Sequence, residues 1–493
     1  MAARHYTELR DLLLRQAYSH DDAPVVVRDA GSHYVPLPIT ERLVHCLWYD
    51  QRVRASALQT SDGQPLRVIF PGWWNLEAGP DFRHATIQIG TAPERTGDVE
   101  IHLRAADWFH HGHDRDPAYD NVILHVVLWE DDPLATPVTR AGEPLPQLIL
   151  QPFLDAPLEQ LYDEIDLDAY PHNVGNHAGP CGALFQKLTA AAIGRLLDSA
   201  GDERFAGKVR KFIRWIRATD AEQAFYTGWM EALGYKNNKA AFRKLAQQLP
   251  VASLRQAAPS ALPSVLFGVA NFLPTAAPVA RDTAGQRYVK RLWNTWWKLR
   301  PDYEPHILPR DAWRLHGIRP ANHPHRRLGA AAALLQQHPA LLDELTGAVQ
   351  TGGDPATLFR QLRDEYWSRH FTLGGRTQAA ATDLIGAARA QELVTNVVLP
   401  FLAARAELDG DSALRAKARA ADAAMAGAPV NSLLRLACQQ LFDTPAAVPR
   451  WLKTNRHQQG VLQIFQDFCV NDKSGCRACR FPEMIQRWAD AAL

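Results

Sequence analysis

The stretch GDVEIHLRAADWFHHGH (Gly97–His113) decides how this chain is read. Taken with a period of two, Val99, Ile101 and Leu103 fall on one face of a strand, and Asp98, Glu100, His102 and Arg104 fall on the other. The strand therefore offers a core face and, opposite it, a carboxylate and an imidazole aimed the same way. His111 and His113 follow at once in a polar loop, with Asp107, Asp114 and Asp116 close in sequence.

Working outward, DFRHATIQIG is a second strand, and the polar loop TAPERTG turns it into the first as a hairpin. NVILHVVLW is apolar on both faces, which predicts an interior strand with His125 satisfied by a neighbour. LRVIFPG adds a short strand ended by Pro-Gly, and ITERLVHCLWYDQRV predicts a helix with Leu43, Val44 and Leu47 on one stripe. These elements define an α/β unit over residues 36–160 whose sheet is covered on at least one face. Pro133 to Pro157 reads as a proline-rich connection.

Beyond Cys181 the text turns alanine-rich and helical without a solenoid period, so residues 181–435 are expected to form one or two irregular helical domains. Residues 436–493 carry a last helix and a cysteine-rich segment. A chain of 493 residues exceeds what one core usually supports, about 250–300 residues, which agrees with this division. Within the helical part, GYKNNKAAFRKLA, WRLHGIRPANHPHRRLGAAA and RLWNTWWKLRP gather positive charge. The last of these interleaves Trp293, Trp296 and Trp297 with cations, as base stacking and phosphate contacts require. The same pattern arises when tryptophans fill a core and Arg and Lys snorkel out of it.

The 54 basic and 53 acidic residues nearly balance, so any nucleic-acid-binding surface must be local. The first thirty residues show no signal-peptide core, and no apolar run reaches the roughly 18–20 residues of a membrane helix; a cytoplasmic protein without a membrane partner is expected.

Two motifs carry chemistry. GPDF places Asp81 at the start of one strand, and VEIH places Glu100 in the next, so a twisted antiparallel pair brings both carboxylates to one point. Such a pair holds Mg²⁺ or Mn²⁺, which activates water and neutralises charge in phosphoryl transfer. At the other end, Cys469, Cys476 and Cys479 have the spacing C-x6-C-x2-C, with Cys438 one helix upstream or His457 as a fourth ligand, which suits Zn²⁺ or a [4Fe–4S] cluster. Cys46 and Cys181 read as buried apolar residues.

The Pro80-Asp81 step, the acidic Glu100 on the partner strand and a functional residue two positions on resemble the PD-(D/E)XK nuclease superfamily, with His102 in place of the usual lysine. That resemblance implies a restriction-endonuclease-like mixed sheet with flanking helices, a nucleic-acid partner and metal-dependent hydrolysis of DNA or RNA. It also gives a role to Glu41, on a helix preceding the hairpin. Mismatch-repair endonucleases of that superfamily are similar in following the hairpin with Trp and His residues, which implies that His102, His111 and His113 act as general acid or base or bind a second ion. The cysteine spacing resembles the start of the cluster loop in certain DNA glycosylases, and some nucleases resembling the superfamily also close their fold with a cysteine-held cluster. PGWWNLEAGPDFRHATIQIG, GDVEIHLRAADWFHHGHDRDPAYDNVILHVV and RHQQGVLQIFQDFC with CRAC resemble, from about Ile39 to Arg480, an uncharacterised bacterial family catalogued as a domain of unknown function (number 2851), which implies no activity.

Three functions are compatible with these residues. The first is a metal-dependent nuclease. The second is a catalytically inactive nucleic-acid-binding protein on the same scaffold. The third is a zinc-dependent hydrolase with His111, His113 and Asp116 as ligands, although no HExxH run is present.

Overall fold

Six strands, β1 (Leu66–Phe70), β2 (Trp73–Trp74), β3 (Phe82–Ile89), β4 (Arg95–Arg104), β5 (Val122–Trp129) and β6 (Gln147–Ile149), form a mixed sheet of order β1-β3-β4-β5-β6, with β2 beside β3 and β4 at the centre. The computed structural model describes residues 6–12, 39–130, 136–167, 170, 181–273, 275–276, 280, 282–442, 452, 454–471, 476 and 479–490. Strands β1, β2 and β3 build the antiparallel half, and β3 turns into β4 as the predicted hairpin. Strands β5 and β6 extend the sheet in parallel. Helix α1 (Glu41–Tyr49) covers one face, burying Leu43, Val44, Leu47 and Trp48 with Val99, Ile101, Leu124 and Val126.

The parallel step from β4 to β5 requires a crossover. Residues 105–121 supply it, holding the one-turn helix α2 (Asp107–His110) and the 3-10 turn Pro117–Tyr119. This crossover lays its histidines on the sheet face opposite α1, beside a small cluster of Trp108, Val122, Leu145 and Tyr119. Strand β5 is buried along its length up to Trp129, as its two-sided apolarity predicts. Strand β6 falls inside the stretch read as a proline-rich connection. Its three residues, preceded by Pro144 and Pro146, are too short to show a period.

The helical region is organised on α3 (Ala190–Ala218), which Thr189 caps by accepting from Ala192 N at 3.2 Å. Phe205, Val209, Phe212 and Ile213 enter a large core with Trp229, Trp296, Trp367 and Phe401. One to three turns earlier, Ile193, Leu196, Leu197 and Ala200 enter a second core with Tyr6, Cys181 and the C-terminal helices, including α4 (Asn455–Phe465). Helices α3 and α4 touch through glycine: a Cβ on Gly460 would lie 2.2 Å from Leu197 O, and one on Gly201 2.3 Å from Arg456 O. The C-terminal segment thus shares its core with residues 181–200.

Trp296 is core, its indole lying over Gly268, whereas half-buried Trp297 carries the Arg300 guanidinium 4.5 Å from its ring centre. Asp163 and Glu164 tie the sheet unit to the helices. Asp163 pairs with Arg214 and accepts from Trp215 Nε1 at 3.1 Å, and Glu164 lies 3.7 Å from Arg243 Nη1. No helix among the described residues is long and apolar enough to cross a membrane.

Candidate metal centre

Asp81 reaches the sheet through a tied turn. Asn75 N donates to Asp81 O at 2.7 Å and Asn75 Nδ2 donates to Pro80 O at 2.8 Å, closing the chain just before β3. A bulge follows, with His84 at φ 59° and its N–H given to Asp98 Oδ1 at 3.0 Å. Such irregularities re-aim side chains beside sites. Here the carboxylates of β3 and β4 interlock: Asp81 N donates to Glu100 Oε2 at 3.0 Å, and Ile101 N donates to Asp81 Oδ2 at 2.9 Å. His45 Nε2, from α1, stands 3.2 Å from the same Oδ2. Asp81 and Glu100 are 8% and 3% exposed, and burial of two acids is tolerable only with such donors or a cation.

Glu100 Oε1 faces the other way, into the histidines. His113 Nε2 lies 3.5 Å from it and His102 Nε2 3.6 Å, while His102 Nε2 is 3.1 Å from His111 Nδ1. Among the described residues, His102, His111 and His113 form the group of potential ligands whose donor atoms all lie within 4.8 Å of one another. His102 and His113 are buried and His111 is exposed, so the cluster has a solvent side. The His113 ring is wedged against Tyr119, with centroids 3.8 Å apart, and against Trp108 at 5.3 Å.

Behind the cluster, His102 Nδ1 meets His125 Nε2 at 2.9 Å, and His125 Nδ1 meets the Gln147 amide at 3.2 Å. Burial, and then the His113 charge, hold the His125 pKa down at about 3, so this imidazole is neutral across the working range. The unfolded chain binds a proton near pH 6.5 that the native state refuses until about pH 3, so His125 contributes stability present above pH 6.5 and lost as pH falls toward 3. In urea titrations, stability should fall by roughly 1 kcal/mol per pH unit below 6.5 through this group. His125→Gln should flatten that slope, and an unchanged slope would contradict the assignment.

The other expected site residues are placed as follows. Glu41 opens α1, half-exposed, one turn before His45, and it is His45 that reaches Asp81. Asp116 is exposed and caps its own turn by accepting from Ala118 N at 2.9 Å, so the acid beside His113 is Glu100. Asp107 is buried and accepts from Arg104 N at 3.1 Å. His457 pairs with Asp198 at 3.1 Å. His45, Gln147 and Tyr119 are the participants that sequence reasoning missed; for His45 the signal was its spacing of one helical turn from Glu41.

The described cysteines gather no three sulfurs at ligand distance. Their surroundings nevertheless differ. Burial lifts Cys181 to about 12, with Cys479 and Cys476 opposing its ionisation, whereas burial alone lifts Cys438 to about 12. Gln440 Nε2 donates to Cys476 Sγ at 3.3 Å, and Cys438 lies buried two positions earlier in the helix Ser432–Phe442.

The family model described as "Protein of unknown function (DUF2851)" matches residues 41–424. No curated protein and no solved structure matches the chain.

Proposed function

The chain belongs to the DUF2851 family, and from its site we propose that it is a metal-dependent hydrolase of phosphodiester bonds in DNA or RNA. The observation that carries this reading is the interlock of Asp81 and Glu100 on adjacent strands, at 3.0 and 2.9 Å, with His102 two positions after Glu100. A divalent ion such as Mg²⁺ or Mn²⁺ held by these carboxylates supplies Lewis acidity and a bound water of lowered pKa. His111 stands exposed at the mouth of the cluster, on the side from which a substrate would approach. The mixed sheet, with an antiparallel hairpin followed by a crossover to a parallel strand, agrees with a PD-(D/E)XK-like scaffold.

A nucleic-acid partner is favoured by Trp73, 69% exposed on β2, and by exposed Arg83 opposite it on β3, two residues after Asp81. An open aromatic face beside a cation is the arrangement that stacks a base and meets its phosphate. The test is cleavage of labelled single- and double-stranded DNA and RNA with Mg²⁺ or Mn²⁺. Binding without cleavage on every substrate would select the inactive nucleic-acid-binding alternative.

We also propose that the C-terminal cysteines hold Zn²⁺ or an iron–sulfur cluster, with Cys181 rather than Cys438 joining Cys469, Cys476 and Cys479. The nearness of Cys479 and Cys476, whose charges oppose ionisation of the Cys181 thiol, supports this, whereas burial raises the Cys438 thiol. In anaerobically purified protein, Cys181→Ser is expected to lose most of the bound zinc or iron, and Cys438→Ser to keep it. The reverse pattern in elemental analysis would return Cys438 to the ligand set.

A further inference from the structure

Glu100 uses its two oxygens differently. Oε2 accepts from Asp81 N, on the side of the paired carboxylates, while Oε1 turns to the imidazoles of His102 and His113. We infer that Glu100 Oε1, His102 Nε2, His111 Nδ1 and His113 Nε2 form a second cation site, specific for a nitrogen-preferring transition-metal ion of the Zn²⁺ class and separate from the ion between Asp81 and Glu100.

The distances fit the ion. Bonds of about 2.0–2.1 Å to a tetrahedral centre set the ligand atoms about 3.3–3.4 Å apart. Three of the six ligand pairs measure 3.1, 3.5 and 3.6 Å, and the three imidazole donors all lie within 4.8 Å of one another, so a small closure of the loop onto the ion completes the set. These atoms come from β4 and from a crossover loop, which the packing of His113 on Tyr119 and Trp108 and the bond from Arg104 N to Asp107 hold against the sheet. The donor set fits as well. Three imidazoles and one carboxylate oxygen select zinc-like ions over Mg²⁺, which demands oxygen ligands and water.

The surroundings supply the orientation that metal-bound histidines require. With the Gln147 amide turned so that its oxygen faces His125, a proton on His125 Nδ1 goes to Gln147. His125 Nε2 then accepts from His102 Nδ1, and the lone pair of His102 Nε2 is left facing the site. Oxygen and nitrogen of an amide exchange places by a simple flip, so the 2.9 and 3.2 Å contacts accommodate this chain. Exposed His111 closes the site on the solvent side, which gives the ion its route in.

The place of this ion beside a reacting phosphate rests on the phosphodiester reading; its binding does not. The test is cobalt loading of chelator-stripped full-length protein, with metal content and visible spectra recorded for wild type, His111→Ala and Asp81→Asn. Because His111 is exposed, its variant is expected to keep the wild-type Tm. Wild type is expected to hold one more equivalent of Co²⁺ than His111→Ala, with tetrahedral d–d bands and without added thiolate charge-transfer absorption. Asp81→Asn, which keeps the backbone N–H on Glu100 Oε2, is expected to retain those bands. Equal cobalt content in wild type and His111→Ala would overturn the site, and loss of the bands in Asp81→Asn would overturn its separateness. A wild type that binds the extra ion but cleaves no nucleic acid would leave the site standing and remove the nuclease reading.

Discussion

Asp81→Asn and Glu100→Gln are each expected to lower metal-dependent cleavage by at least about 10²–10³-fold, the scale on which loss of one preorganised electrostatic group is felt in a buried site. Both carboxylates are almost fully buried and each takes a backbone N–H from the other strand, so their charges are fixed before substrate arrives. An amide retains an oxygen for the donated hydrogen bond but removes the charge that holds the cation. Stability should therefore change little, or rise, since a buried carboxylate carries a desolvation cost that a neutral amide lacks. Activity lost with the thermal midpoint preserved is the expected signature in both variants. Cleavage that persists in both at the wild-type rate would trace the activity to a contaminating nuclease.

The parts of this arrangement that were legible in the sequence are those with a local period. Alternation along Val99–Leu103 and the two-sided apolar run of Val122–Trp129 identify β4 and β5, and the polar turn between Ile89 and Arg95 identifies their hairpin partner. The interlock of Asp81 with Glu100 was legible for the same reason, because a hairpin register fixes which residues converge. Parallel pairing leaves no such trace, so β6 and Gln147 stayed hidden among prolines until the crossover folded back on β5. His45 was masked by its own helix: among Leu43, Val44, Cys46, Leu47 and Trp48 it reads as one more core position, and its approach to Asp81 just before β3 appears only in the fold. Asp116 shows the opposite error. Its closeness in sequence to His113 suggested a shared ion, but an exposed Asp before Pro117 is satisfied by capping its own turn. Cys181, read as a buried apolar residue, lies buried in the second core; what the sequence hid is its nearness to Cys476 and Cys479, nearly three hundred residues away.

Gly97→Val is expected to damage the same centre without touching any side chain in it. Gly97 lies in β4 where the strand meets β5, and a Cβ there would stand 2.4 Å from Ile123 Cγ2 and 2.7 Å from Asn121 O. Asn121 O is already committed, since it accepts from Asp98 N at 2.9 Å in the first rung between the two strands. The register also slips here: Asp98 pairs with Val122 and Val99 with Leu124, so Ile123 bulges toward the space that the glycine leaves. A backbone carbonyl cannot rotate away as a flexible side chain can, so β4 must move off β5. Overpacking of this kind costs about 1–3 kcal/mol, and valine, with two further methyl groups, belongs at the upper end. The functional cost should be larger than the loss of stability implies, because displacement of β4 carries Glu100 and His102 away from His125, which β5 holds in register with Glu100. A misplacement on the order of 1 Å costs about 10²-fold in rate, and cobalt affinity at the histidine cluster should weaken with it. Gly207→Ala is the matched control. It lies inside α3, where a Cβ would meet only Arg210 Nη2 at 3.7 Å. Alanine there should stabilise the helix by up to about 1 kcal/mol and leave cleavage and metal binding unchanged. Gly97→Val with full activity at a temperature where it is folded would mean that the spacing of β4 and β5 does not set the geometry of the site.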